Sequence, residues 1–275
     1  MPYRHAPYLV GFVLLVIVAG FWASYFASGE GVPLAFHVHA ISSMMWLALL
    51  IVQQVAIQRR AVDLHRWLGR ASFVLFPLMM LGFMMIMNRA ADRFETGASP
   101  VSVALGPAFG VGMASALAAY LTLFYFALKN RRNVQLHAGY MLATPLSLFE
   151  SPFSRVMGDY MPWMNVIGSA FPHAILDTIA LSDGLVAVFA LVLWWRNRKH
   201  GAPWLMTAGF VLLQAVGMWF APFVPGMADG FAAYAAIPAP VTLALGVAAG
   251  GAAAWLGWEA GNSPPRRAPA TAAGG

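Results

Sequence analysis

The chain alternates long apolar runs with short polar connectors, and the runs are close to membrane length. A helix crossing a bilayer core about 30 Å thick needs roughly 20 apolar residues. With that window the sequence predicts eight spans, near 8–27, 35–57, 70–88, 102–128, 137–157, 173–195, 204–222 and 236–257. The fifth is the least apolar, since it holds Glu150, Ser151, Ser154 and Arg155, and the eighth is rich in Ala and Gly. The expected fold is therefore all-α: a polytopic transmembrane helical bundle of seven or eight helices. It forms a single domain over 1–260, followed by a Pro/Ala/Gly-rich tail, 261–275, expected to be disordered.

The basic residues test this list of spans. Arg4, the segment 58–70 with Arg59, Arg60, Arg66 and Arg70, the run Lys129–Arg132, the run Arg196–Lys199 and the pair Arg266–Arg267 fall in every second connector. The connectors between them are acidic or neutral, apart from 89–100, where Asp92 and Glu95 accompany Arg89 and Arg93. That alternation is expected for eight spans with both termini cytoplasmic, in a bacterial inner membrane, with the lipid bilayer as the main partner. The first span is longer than the 7–15-residue apolar core of a signal peptide.

Composition agrees with this. Of the 275 residues, 60% are hydrophobic and 9% charged, and the net charge of +6 comes from short clusters among 16 Lys and Arg. A water-soluble domain carries about 25% charged residues, so a soluble protein, a disordered chain and a nucleic-acid binder are all excluded. With 0 Cys there is no disulfide, thiolate metal site, iron–sulfur cluster or Cys nucleophile. Glycine loops of the Walker type, dinucleotide fingerprints and G-x-S-x-G elbows are missing too, so nucleotide use and serine hydrolysis have no support.

An internal repeat narrows the search. Arg59-Arg60-Ala61-Val62-Asp63-Leu64-His65 recurs as Arg131-Arg132-Asn133-Val134-Gln135-Leu136-His137, identical at five of seven positions with an offset of 72 residues. Each copy leads from a cytoplasmic connector into an outward-running helix. Spans 2–3 and 4–5 therefore read as two parallel copies of one helical hairpin. His65 and His137 then sit at equivalent inner ends of the third and fifth spans.

The seven His sort by depth. His5 and His200 lie in basic, water-exposed segments. His65 and His137 fall near the cytoplasmic face, while His37, His39 and His173 fall near the opposite one. Two His groups at two depths are what two stacked b-type haems require, each iron taking an imidazole from two helices. His37 and His39 point about 200° apart on a helix, and only the stripe through His39 continues in polar residues, Ser42, Ser43 and Gln53. His39 is thus favoured over His37 as a ligand, paired with His173. The competing reading is a zinc or iron site built from His37, His39, His173 and Asp177.

Glu150, Arg155, Asp177 and Asp183 lie within spans, where a lone charge facing lipid costs on the order of 2.5–3.5 kcal/mol. Arg155 and Asp177, at similar depth on consecutive spans, are expected to pair. Arg155 is also a candidate partner for haem propionates or an anionic substrate.

The segment His37-x-His39…Trp46…Gln53/Gln54…Arg59-Arg60…Leu64-His65-Arg66-x-Leu68-Gly69-Arg70, with His137-x-x-x-Met141…Pro152-x-x-Arg155, resembles bacterial multi-pass membrane proteins described only as a domain of unknown function. The resemblance covers roughly 34–177, and Leu64-His65-Arg66-x-Leu68-Gly69 is its most specific part; Ala138-Gly139 departs from the basic residues usual there. The His layout is also similar to that of di-haem b-type membrane cytochromes. That similarity implies transmembrane electron transfer by a quinol or ferric reductase, with a quinone or a small redox protein as partner. A metal-dependent hydrolase or oxygenase at the outer His/Asp group is the second expectation. A transporter lined by Glu150, Arg155, Asp177 and Asp183 is the third.

Overall fold

In the computed structural model, residues 3–28 and 31–262 are described; most of the tail, with Arg266 and Arg267, lies outside the described residues. The helices are α1 (Ala6–Gly20), α2 (Leu34–Gln58), α3 (Val62–Glu95), α4 (Pro100–Lys129), α5 (Val134–Tyr160), α6 (Ala174–Arg196), α7 (Ala202–Phe220), α8 (Met227–Ala235) and α9 (Ala239–Ala260). Among the described residues there is no strand. The chain is an α-helical bundle, as its apolar runs predict. Six helices, α2, α3, α4, α6, α7 and α9, are long and apolar enough to cross a bilayer. The apolar α1 is shorter, but a π-helical turn, Trp22–Phe26, extends it. The ionisable residues of α5 lower its hydropathy, as expected of the fifth span. The amphipathic α8 is too short for a membrane-length window and was not predicted.

The repeat is visible in the backbone. α3 starts at Val62 and α5 at Val134, equivalent positions, and the backbone N–H groups of His65 and His137 donate to Ala61 O and Asn133 O. The α2–α3 and α4–α5 hairpins pack side by side through α3 and α4. An aromatic core locks them, with Phe76 on Phe124 at 4.0 Å between ring centres and Trp46 5.4 Å from each. Trp46 Nε1 donates to Thr144 Oγ1, and Tyr120 OH to Thr144 O. Thr144 Oγ1 in turn donates to Met141 O, the carbonyl that Pro145 leaves without its helical N–H.

Small residues set the other close approaches. Gly246, Gly250 and Gly257 of α9 lie against Met80 and Met84, Pro77, and Tyr125 O. Without a hydrophobic force between helices in lipid, such close backbone packing supplies the attraction. Gly20 of α1 rests on the carbonyl of Pro152 in α5.

The connectors 59–61, 130–133 and 197–201 share one end of the bundle, called here the basic end. Tyr3 packs on Trp204, and Gln58 Nε2 donates to Arg4 O. Arg131 stacks on Trp258 at 4.0 Å and donates to Trp258 O and Asn262 Oδ1. Both described ends of the chain, Tyr3 and Asn262, therefore lie at the basic end.

Candidate functional site

The pair singled out by the repeat comes together. The rings of His65 and His137 stand 6.5 Å apart between centres, at 90° to one another, at the basic ends of α3 and α5. His137 Nδ1 lies 2.9 Å from Ala127 O, the carbonyl of a residue near the end of α4. A carbonyl only accepts, so Nδ1 carries the proton and Nε2 keeps its lone pair. His65 Nδ1 is buried without a partner, and so is Gln53 Oε1 on the adjoining face of α2.

The opposite end is different. His37 is exposed and shares a 2.9 Å hydrogen bond with Tyr25 OH. His39 packs edge-on against Phe83 at 4.7 Å, with Gly82 beneath its backbone and Nδ1 buried without a partner. His173 immediately precedes α6 without a capping side-chain bond, wedged between Trp219 and Phe223 at 4.7 and 5.0 Å, and its Nε2 is also unpartnered among the described residues. α2 packs on α1, α3 and α5, whereas α6 packs on α5 and α7. His39 and His173 therefore belong to helices with α5 as their shared neighbour. Among the described residues no group of three or more His, Asp or Glu is close enough to hold a metal ion.

Asp177 neither orients His173 by a side-chain bond nor pairs with Arg155. It accepts from Ser169 N at 2.7 Å, Ser169 Oγ at 2.8 Å and Trp219 Nε1 at 3.0 Å, which ties the 161–173 connector to α6 and α7. Arg155 donates to Ser151 O and Ser151 Oγ, both at 2.8 Å, and lies over Phe21 at 4.7 Å. Each group finds neutral partners nearer than the other, so the expected ion pair does not form.

The deepest polar group lies where α5, α6 and α7 meet. Glu150 Oε1 accepts from Ser154 Oγ and Oε2 from Gln214 Nε2, both at 3.2 Å, while Ser182 Oγ donates to Glu150 O. Asp183 is 0% exposed, has Glu150 and Gln214 as polar neighbours, and neither of its oxygens has a well-formed hydrogen bond. The sequence flags both acids by their depth. Gln214 and Ser182 carry no such flag, because a single amide or hydroxyl in an apolar span is unremarkable until its neighbours are known.

Two cavities flank this group. One, of about 470 Å³, opens toward the end opposite the basic one and is lined by Ser154, Arg155, Asp159, Asn165, Thr178 and Ile179, among others. The other, of about 410 Å³, lies at the basic end between α1, α5, α6 and α7, and includes Arg4, Leu146, Phe189, Arg196 and Trp204. Compared with known proteins, the chain matches no family model, no curated protein and no solved structure.

Proposed function

We propose that the protein is an integral membrane haem protein of b type, with the iron held at the basic end between His65 and His137, working in electron transfer at that face. The observation that carries this reading is the convergence of the two repeat-related imidazoles. Two imidazoles on opposite sides of one metal, each nitrogen at about 2.0–2.1 Å, place their ring centres roughly 6 Å apart. The observed separation is 6.5 Å. Zinc sites take three or four protein ligands. Among the described residues no third ligating side chain joins the pair, and His65 and His137 would suit an iron that a macrocycle otherwise holds.

When bound, the haem supplies one-electron chemistry. The chain's own part is orientation and charge. The bond from His137 Nδ1–H to Ala127 O holds the tautomer that presents Nε2 as a donor. The exposed Arg59, Arg60, Arg66 and Arg132 flank the pair in sequence, and they can meet haem propionates or the acidic face of a redox partner. A second haem between His39 and His173 has no such geometric support, so the reading is of a single haem at the basic end.

Absorbance of the detergent-purified protein, air-oxidised and then dithionite-reduced, tests this. A Soret band with α and β bands that sharpen on reduction is expected. A colourless protein after expression with ample haem overturns the reading.

A further inference from the structure

The carboxyl pair plays no part in that reading. α6 runs from the opposite end to the basic end, and Asp183 lies about 14 Å from its first residue and about 20 Å from its last, at 1.5 Å per residue. Glu150 meets it from α5, running the other way. Both are buried, at 8% and 0% exposure. Among the described residues no cation bonds to either, since Arg155 donates instead to Ser151 O and Ser151 Oγ. The other charged groups on the surrounding helices are Asp159, a further turn along α5, Asp177, which Ser169 and Trp219 hold, and Arg196 at the basic end of α6. α1 and α7 contain no acid, Lys or Arg, and the single such residue of α4 is Lys129 at its basic end. Two anions side by side in a dry interior cost far more than one anion and a proton. A proton on one of the two carboxyls lowers that cost.

The two cavities approach this pair along the same seam. Ser154 lines the cavity of the opposite end and also donates to Glu150 Oε1, so its hydroxyl is both floor and contact. On the other side, Leu146 lies one turn from Glu150 and lines the basic-end cavity. Between them Val186, Ala187 and Val211 form a small apolar cluster with Leu146 and Phe149 packed on it. The seam thus has a polar approach, a buried carboxyl pair, an apolar plug and a second cavity.

We propose that the α5–α6 seam is a pathway for protons across the membrane, with Glu150 and Asp183 as the carrying pair and Leu146, Phe149 and Val186 as its closed gate. Water in the polar cavity hands a proton through the Ser154 hydroxyl to Glu150. It passes to Asp183, and it leaves to water in the basic-end cavity when the plug side chains turn aside. Asp183 is wholly buried and neither of its oxygens has a well-formed hydrogen bond, so it can take a proton at little cost in existing bonds.

The full-length protein, reconstituted in phosphatidylcholine/phosphatidylglycerol vesicles with pyranine inside, tests this under a valinomycin-imposed potassium potential. Acidification faster than in protein-free vesicles is expected. Asp183→Asn and Glu150→Gln each slow it by about tenfold or more, the scale of losing a placed proton-transfer group. Ser154→Ala slows it without removing a charge and Leu146→Ala speeds it, while the Soret absorbance of all four variants stays at the wild-type level, which separates this pathway from the haem reading. Wild-type vesicles no faster than empty ones overturn the proposal. So does an Asp183→Asn protein that elutes as a single species and conducts like wild type; if that variant aggregates, an unchanged rate in Ser154→Ala overturns it.

Discussion

The bundle is held by two kinds of interior. Between the α2–α3 and α4–α5 hairpins the core is aromatic: Trp46, Phe76, Phe124 and Tyr120 are fully buried, and their two polar atoms both end on Thr144. Across the α5–α6–α7 seam the same depth holds Glu150, Ser182, Asp183 and Gln214, with Asp183 left unsatisfied. The first interior is saturated and packed, which is what stability asks of a core. The second leaves a buried acid unsatisfied, and that cost persists where a function uses it.

Substitutions can pull this contrast apart. Trp46→Ala empties the aromatic core and unpairs Thr144 Oγ1 from its indole donor. It should cost about 3–5 kcal/mol, read as a large fall in melting temperature in detergent. His65→Ala and His137→Ala should each abolish the same Soret band, read as haem per chain by absorbance. Loss in one variant and not the other would break the pairing. Asp183→Leu should move stability the opposite way from Trp46→Ala, by about 1–4 kcal/mol of stabilisation, because an uncompensated polar group gives way to an apolar one. A fall in melting temperature for Asp183→Leu would mean that the seam is a structural polar network after all.

The smallest effect tests the repeat itself. Arg131→Ala removes the stacking on Trp258 and the bonds to the α9 carboxyl end, and should cost about 1–2 kcal/mol. Arg59→Ala, at the equivalent position of the first copy, removes an exposed side chain and should leave the melting temperature within error. Equal losses would show that the two copies still share one structural role.

Much of this architecture is legible from residue order. The aligned starts of α3 and α5 follow from the seven-residue repeat, because the same local signals begin both helices. The meeting of His65 and His137 was also within reach, since parallel hairpins place equivalent residues at the same level. His39 and His173 show where that logic stops. Depth can be counted along a helix at 1.5 Å per residue, but the count does not say which helices are neighbours. Arg155 and Asp177 fail to pair for a related reason: Ser151, Ser169 and Trp219 reach them first, and a depth count names none of these.

The sequence alone therefore determined the long helices, their alternation between two faces and the repeat-related His pair. Each of these depends on hydrophobic run length, charge asymmetry or local identity, all of which are local to the chain. Only the tertiary structure decided that α5 keeps His39 and His173 on different neighbours. It also decided that Gln214 of α7 completes a group with Glu150 and Asp183, and that two cavities end on either side of them. Those facts are set by helix adjacency and rotation about each axis. In lipid, adjacency follows from the fit of small residues such as Gly20, Gly246 and Gly250 against their partners, which the hydrophobic pattern does not encode.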